Sequence, residues 1–337
     1  MLCALLIACA TELPKLPFVE KYDAAFVEAK ARNVPVLILD FDGWTEDRQQ
    51  TQPSAYYEHK EFLAAAELSV LLLCSQEEHD PKRELIDGET RDVCGAWGGV
   101  SCRAHRDLLP KVFADFGRDG TLVTPLVVIA DPDRRELARM EHEQPPAVVV
   151  AALKAASKKL GAGMPRRDYR ALVQGLAHLK RLQELNEPAA AVALLETLRK
   201  VPGNFAPHAE LKVAEQKLDE AGRGRLQRSN DLWSAGRRLD ALIEADDVRS
   251  SFGKLACSAT ASALVASYEK DAGVTKEDRA TLKAHRAARE IYQQAVELER
   301  ASDSKRARQS LEKLLRQHPE SRFTDRARSL LEGLKGG

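Results

Sequence analysis

The apolar positions of the chain follow two different periods, and the change falls near Gly161. Before it, short runs of β-branched and aliphatic residues alternate with helical spacing; after it, helical spacing continues to the end. Tyr22 to Arg32 sets Ala25, Phe26 and Ala29 on one stripe and predicts a helix. Val34 to Phe41 is apolar almost throughout, as a strand buried on both faces requires. A polar helix is predicted from about Glu46 to Ala66, interrupted near Pro53, and then a second buried strand over Leu68 to Cys74. A charged, Gly-containing insertion spans Ser75 to Asp107. Beyond it the spacing predicts a helix near Leu109 to Phe116, strands over Leu122 to Ala130 and Glu136 to Glu141 around an Asp131-Pro132-Asp133 turn, and a closing helix from Pro146 to Leu160. This succession is an α/β arrangement ending in a hairpin.

From Arg167 onward, helices are separated by short breakers: Asn186-Glu187-Pro188, Pro202-Gly203-Asn204, Gly222-Arg223-Gly224 and Asp271-Ala272-Gly273. Thr275 is the expected N-cap of a helix entering at Lys276, with Asp278 where a capping box places its acid. Ala295, Leu298, Ala307, Leu311, Leu314 and Pro319 fall where a tetratricopeptide helix pair puts its small and apolar contacts and its closing Pro, and Leu182, Ala191, Leu195, Leu198 and Pro202 repeat the pattern more weakly. The second half therefore resembles tetratricopeptide arrays in irregular form; a plain antiparallel bundle is the alternative.

Length and charge bound the function. At 337 residues the chain is long for a single core. We divide it into a signal-like segment and linker (1–19), an α/β domain (20–161, with the insertion 75–107) and a helical-repeat domain (162–337). Its formal net charge is zero with 30% charged residues, which argues against a nucleic-acid partner. Leu2 to Ala10 is too short to span a bilayer but suits the apolar part of a secretion signal, although no Lys or Arg precedes it. Ala8-Cys9-Ala10 has the form of a signal-peptidase site, and Leu6-Ile7-Ala8-Cys9 resembles a lipobox in which Cys9 would be lipidated and attach the protein to a membrane. An extracytoplasmic location, periplasmic or lipid-anchored, is the expectation.

Ala29-Lys30 followed by Val34-Pro35-Val36-Leu37-Ile38-Leu39-Asp40-Phe41 and Trp44 is similar to the helix, central strand and Trp of thioredoxin-like proteins. Val123-Thr124-Pro125-Leu126-Val127-Val128-Ile129-Ala130-Asp131-Pro132-Asp133 resembles their Thr-Pro strand and the turn after it. In that family Trp44 would be followed by Cys-x-x-Cys, but here Thr45-Glu46-Asp47-Arg48 follows, and no cysteine occurs between Cys9 and Cys74. Without thiols at the Thr45 and Arg48 positions, the family's disulfide exchange cannot take place there. The resemblance further implies that Pro125 is cis, that Thr124 offers backbone groups to an extended peptide, and that Trp44 contacts partners.

Other thiol chemistry is confined to the insertion. Cys94 and Cys102 bracket a Gly-rich loop, followed by Arg103 and His105. Glycine lets that loop fold back far enough for a disulfide between them. The alternatives are a redox-active pair in which Arg103 and His105 activate Cys102, a soft metal held by Cys94, Cys102 and His105 with His79, and free thiols. The spacing is not that of a zinc ribbon or finger, so the sequence alone assigns no metal and no cofactor. Phosphate-binding, His-Glu-x-x-His and Gly-x-Ser-x-Gly motifs are absent. The expected function is a non-catalytic module that binds a protein or peptide partner, with a thiol-disulfide oxidoreductase acting through Cys94 and Cys102 as the alternative.

Overall fold

The computed structural model describes residues 16–41, 52–86, 89–118, 125–142 and 144–334. The signal-like segment with Cys9, the positions Trp44, Thr45 and Arg48, and Thr124 all lie outside the described residues. The chain divides into two compact units: residues up to Gln174 together with Val201–Ala209, and Gly175–Lys200 together with residues from Glu210 onward.

In the first unit the order is α1 (Tyr22–Arg32), β1 (Val36–Asp40), α2 (Gln52–Glu58), α3 (Lys60–Ala66), β2 (Val70–Cys74), β3 (Pro81–Ile86), β4 (Glu89–Cys94), α4 (Cys102–Phe116), β5 (Leu126–Ala130), β6 (Glu136–Glu141) and α5 (Pro146–Leu160). Four strands form a mixed sheet in the order β2-β1-β5-β6. β1 runs parallel to β2, with Val36 opposite Val70, and antiparallel to β5, with Val36 opposite Ala130. β6 closes the sheet as the antiparallel partner of β5.

Strands β1, β2 and β5 are buried at every position, so each face of the sheet needs a covering layer. Side chains alternate in direction along a strand, and two cores result. Leu37, Leu39, Leu71, Leu73, Val127 and Ile129 pack with Phe62 of α3 and Val149, Val150 and Leu153 of α5. Val36, Ile38, Val70, Leu72, Leu126 and Val128 pack with Ala25, Phe26 and Ala29 of α1 and Leu108, Val112 and Phe116 of α4.

The C-terminal end of α1 is tied down by two polar residues. Asn33 takes the left-handed conformation (φ 54°) that ends the helix, and its Nδ2 donates to the carbonyls of Leu160 (3.0 Å) and Ala162 (2.9 Å). Arg32 is fully buried, donating to the carbonyls of Met164, Ser69 and Glu67 while it pairs with Glu28 at 2.7 Å. Burial lowers the pKa of its guanidinium, and the Glu28 carboxylate opposes that effect.

Two features of this unit differ from the spacing-based expectation. The insertion contains a two-stranded hairpin, β3 with β4, whose charged residues conceal the strand period. Helix α4 begins seven residues before Leu109, because Ser101 caps it by accepting from the Ala104 N–H at 3.2 Å, and it runs on through Pro110.

The second unit is all helical. Its elements are the end of α6 (Arg166–Glu184), α7 (Pro188–Leu198), α8 (Ala206–Ser234), α9 (Arg238–Ser251), α10 (Ala256–Glu269), α11 (Lys276–Arg300), α12 (Ser304–Gln317) and α13 (Thr324–Gly333). The capping box at Thr275 forms in full: Asp278 N–H donates to Thr275 Oγ1 at 3.1 Å, and Thr275 N–H donates to Asp278 Oδ2 at 2.9 Å. Ala295, Leu311 and Leu314 meet Tyr292, Ala327 and Leu331 in one core. The Gly222-Arg223-Gly224 stretch does not break a helix as expected, and α8 passes through it. A Cβ on Gly222 would sit 2.4 Å from Cys257 Sγ, so this glycine allows α8 to approach α10 closely.

Among the described residues, no helix is long and apolar enough to cross a membrane.

Candidate functional site

The insertion gathers four residues with soft or borderline donor atoms. After β2 the chain passes Ser75 and reaches His79, two residues ahead of β3. Hairpin pairing then sets Pro81 opposite Cys94, so the last residue of β4 returns beside His79. The following loop is closed by its own backbone: Gly98 N–H donates to Cys94 O (2.8 Å), Cys94 N–H to Val100 O (2.7 Å) and Gly95 N–H to Asp80 O (3.0 Å). A Cβ on Gly95 would lie 2.2 Å from Asp80 O, and Gly98 and Gly99 take φ of +66° and +63°, so the loop depends on glycine at these points. Ser101 then starts α4, which carries Cys102 in its first turn and His105 three residues on, on the same face.

One ligand atom from each of His79, Cys94, Cys102 and His105 lies within 4.8 Å of every other. Cys94 and His105 are fully buried, while Cys102 and His79 are half-buried. Cys94 Sγ is 3.3 Å from His79 Nδ1, and the His79 N–H donates to Cys102 Sγ at 3.4 Å. The His105 imidazole is oriented by its other ring nitrogen. His105 Nδ1 donates to the Ser75 carbonyl at 3.0 Å, which leaves the lone pair on Nε2. His79 Nε2 lies 3.5 Å from Glu77 Oε2.

Both cysteines are free thiols, so the structure brings together the pair for which a disulfide was expected without bonding it. Burial pushes the Cys94 thiol up to about 11, although the backbone N–H groups of Trp97 and Ala96 act in the opposite sense. Arg103, expected to activate Cys102, instead points outward and lies 3.7 Å from Asp107.

Trp97 fastens the Gly-rich loop to the core. It is buried and stacks on Phe41, just past β1, at 5.1 Å between ring centroids, with Phe18 edge-on at 6.4 Å. Tyr57 adds a hydroxyl hydrogen bond to the Trp97 carbonyl. The sequence reading gave Trp97 no role, and its signal was a lone aromatic among glycines. Pro125 sits at the entry to β5, where its carbonyl accepts the His142 N–H at 2.8 Å.

Among the described residues, the other cysteines, Cys74 and Cys257, are buried. Cys74 is fully buried at the end of β2, and burial together with the Asp219 carboxylate pushes the Cys257 thiol up to about 12. The helical unit has a cavity of about 170 Å³ lined by Glu187, Arg225, Glu244, Asp247, Arg289 and Tyr292 among others. Its arginines pair with carboxylates, Arg225 with Glu244 at 2.9 Å, Arg289 with Asp247 at 2.8 Å, Arg322 with Asp240 at 2.9 Å and Arg326 with Glu187 at 3.9 Å.

No protein family model and no curated protein matches the chain.

Proposed function

We propose that the chain is a non-catalytic protein of thioredoxin-like fold joined to a tetratricopeptide-like helical unit, and that it works outside the cytoplasm as a protein-binding or assembly module. One observation carries this reading. The central strand β1 leads into Phe41 and a segment with no cysteine before Cys74, where a thioredoxin-like enzyme needs its nucleophile and resolving thiol.

Other features support it. A central strand with a parallel neighbour on one side and an antiparallel, Pro-led strand on the other is the arrangement that the resemblance requires. The core of α11, α12 and α13 is built from the small and apolar positions that a helical-repeat pair would use. Fold alone does not give function, so the functional reading rests on the missing thiols.

Insulin reduction by dithiothreitol in the presence of the full chain tests the proposal. The expected rate equals the background, and turnover above it refutes the reading. A second reading, a thiol-disulfide oxidoreductase acting through Cys94 and Cys102, draws on Cys102 heading α4 as a free thiol near Cys94. It requires turnover that disappears in Cys102→Ser.

A further inference from the structure

We propose that His79, Cys94, Cys102 and His105 form a closed, four-coordinate site for a single zinc ion that pins the insertion to α4. Two thiolates and two imidazoles in a tetrahedral set are the donors that structural zinc takes, and no position is left for water or substrate. With zinc-ligand bonds of about 2.0 to 2.3 Å, the corners of such a tetrahedron stand roughly 3.3 to 3.8 Å apart. Cys94 Sγ and His79 Nδ1 already stand at 3.3 Å, and the widest separation in the group is 4.8 Å. Contraction by about 1 Å, within reach of side-chain rotation, completes the shell.

The outer contacts match those of a metal site. A metal-bound imidazole commonly donates its second N–H to a carbonyl or a carboxylate, which fixes both tautomer and ring orientation. His105 does so to the Ser75 carbonyl, and His79 is placed to do so toward Glu77. The backbone N–H of His79 also donates to Cys102 Sγ at 3.4 Å, a contact that favours a thiolate ligand. A two-iron cluster with the same donor types would hold its cysteines and histidines on different irons, which the contact between Cys94 and His79 does not permit.

The site also explains how a charged hairpin stays ordered. β3 and β4 form a two-stranded sheet of their own, and such a hairpin is marginal without further support. Zinc would join the segment before β3, the end of β4 and the first turns of α4 at one point, and would supply folding free energy directly.

Cobalt substitution tests the proposal on the reduced full chain. Metal-free protein titrated with cobalt(II) is expected to take up one ion per chain, with the visible absorption of tetrahedral cobalt and a thiolate charge-transfer band. Equimolar zinc should bleach both. Cys102→Ser and His79→Ala should weaken cobalt binding at least tenfold, whereas Cys257→Ser should leave the spectrum intact. Should a ligand variant misfold, native mass spectrometry of the unmodified protein decides: the mass of one bound zinc supports the site. A metal-free mass lighter by two hydrogens, from a Cys94 to Cys102 disulfide, overturns it. Octahedral cobalt absorption, or a tetrahedral spectrum that survives Cys94→Ser with Cys102→Ser, also overturns it.

Discussion

Removing the Asp246 carboxylate from the helical unit should destabilise that unit far more than the loss of an ordinary surface charge. Asp246 is fully buried on α9 and receives Arg286 (2.7 Å) and Arg289 (2.9 Å) from α11, with Arg249 as a third partner. Beside it, Asp247 receives His285 at 2.7 Å and Arg289 at 2.8 Å. Taking one partner from a buried ion pair costs about 3 to 5 kcal/mol, against about 0 to 1 kcal/mol for an exposed pair. In Asp246→Ala, Arg289 keeps Asp247 and Arg286 keeps Glu269 at 2.9 Å, which places the expected loss at the lower end, about 3 kcal/mol. Hydrogen exchange read on peptides from α9 and α11 should then lose about two decades of protection, at 1.4 kcal/mol per decade. Adding Arg289→Met should deepen that loss, because it also takes a partner from the buried Asp247. A loss below tenfold in Asp246→Ala would refute the view that this network supports the helical unit. The network also sets a pH dependence. Burial raises the pKa of Asp246 and of Asp247, but the hydrogen bonds and charges of their Arg and His partners outweigh it and hold both below the ordinary carboxylate value. Their contribution is therefore fully present above the unfolded value of about 3.9 and is lost as pH falls through the lower folded values.

Three further outcomes follow from packing. Trp97→Ala removes a buried indole from its stack on Phe41 and should lower the stability of the α/β unit by about 3 to 5 kcal/mol in urea unfolding, with a change under 1 kcal/mol counting against its anchoring role. Gly222→Ala should destabilise the helical unit, although alanine in a helix normally gains about 1 kcal/mol over glycine, and Cys257→Ala should relieve the clash; a stabilised single variant would show that α8 does not need this close approach. Cys257, with its thiol pushed up to about 12 and its side chain buried, should resist iodoacetamide at pH 8 until the protein is unfolded, as read by peptide mass.

How far these features were legible in the sequence depends on how local their causes are. The buried strands declared themselves because Val36 to Asp40 and Leu126 to Ala130 are apolar runs of strand length, and the Thr275 cap because both of its partners lie within one turn. The β3 and β4 hairpin stayed hidden because its charged, solvated residues carry no apolar alternation. Gly222 looked like a breaker because its cause, Cys257 on another helix, lies 35 positions away in the chain. The Cys and His cluster was legible only in part. Cys94, Cys102 and His105 are close in sequence, but His79 joins them through hairpin register, which spacing does not reveal.

The proposed function requires that Cys94 and Cys102 do not act as a redox couple. Equilibration of the reduced full chain across glutathione buffers, followed by alkylation and mass analysis, tests it most directly. The account predicts that Cys94 and Cys102 show no dithiol to disulfide transition between about −270 and −120 mV, where dedicated oxidoreductases work. A two-electron transition in that window, abolished by Cys102→Ser, would contradict it.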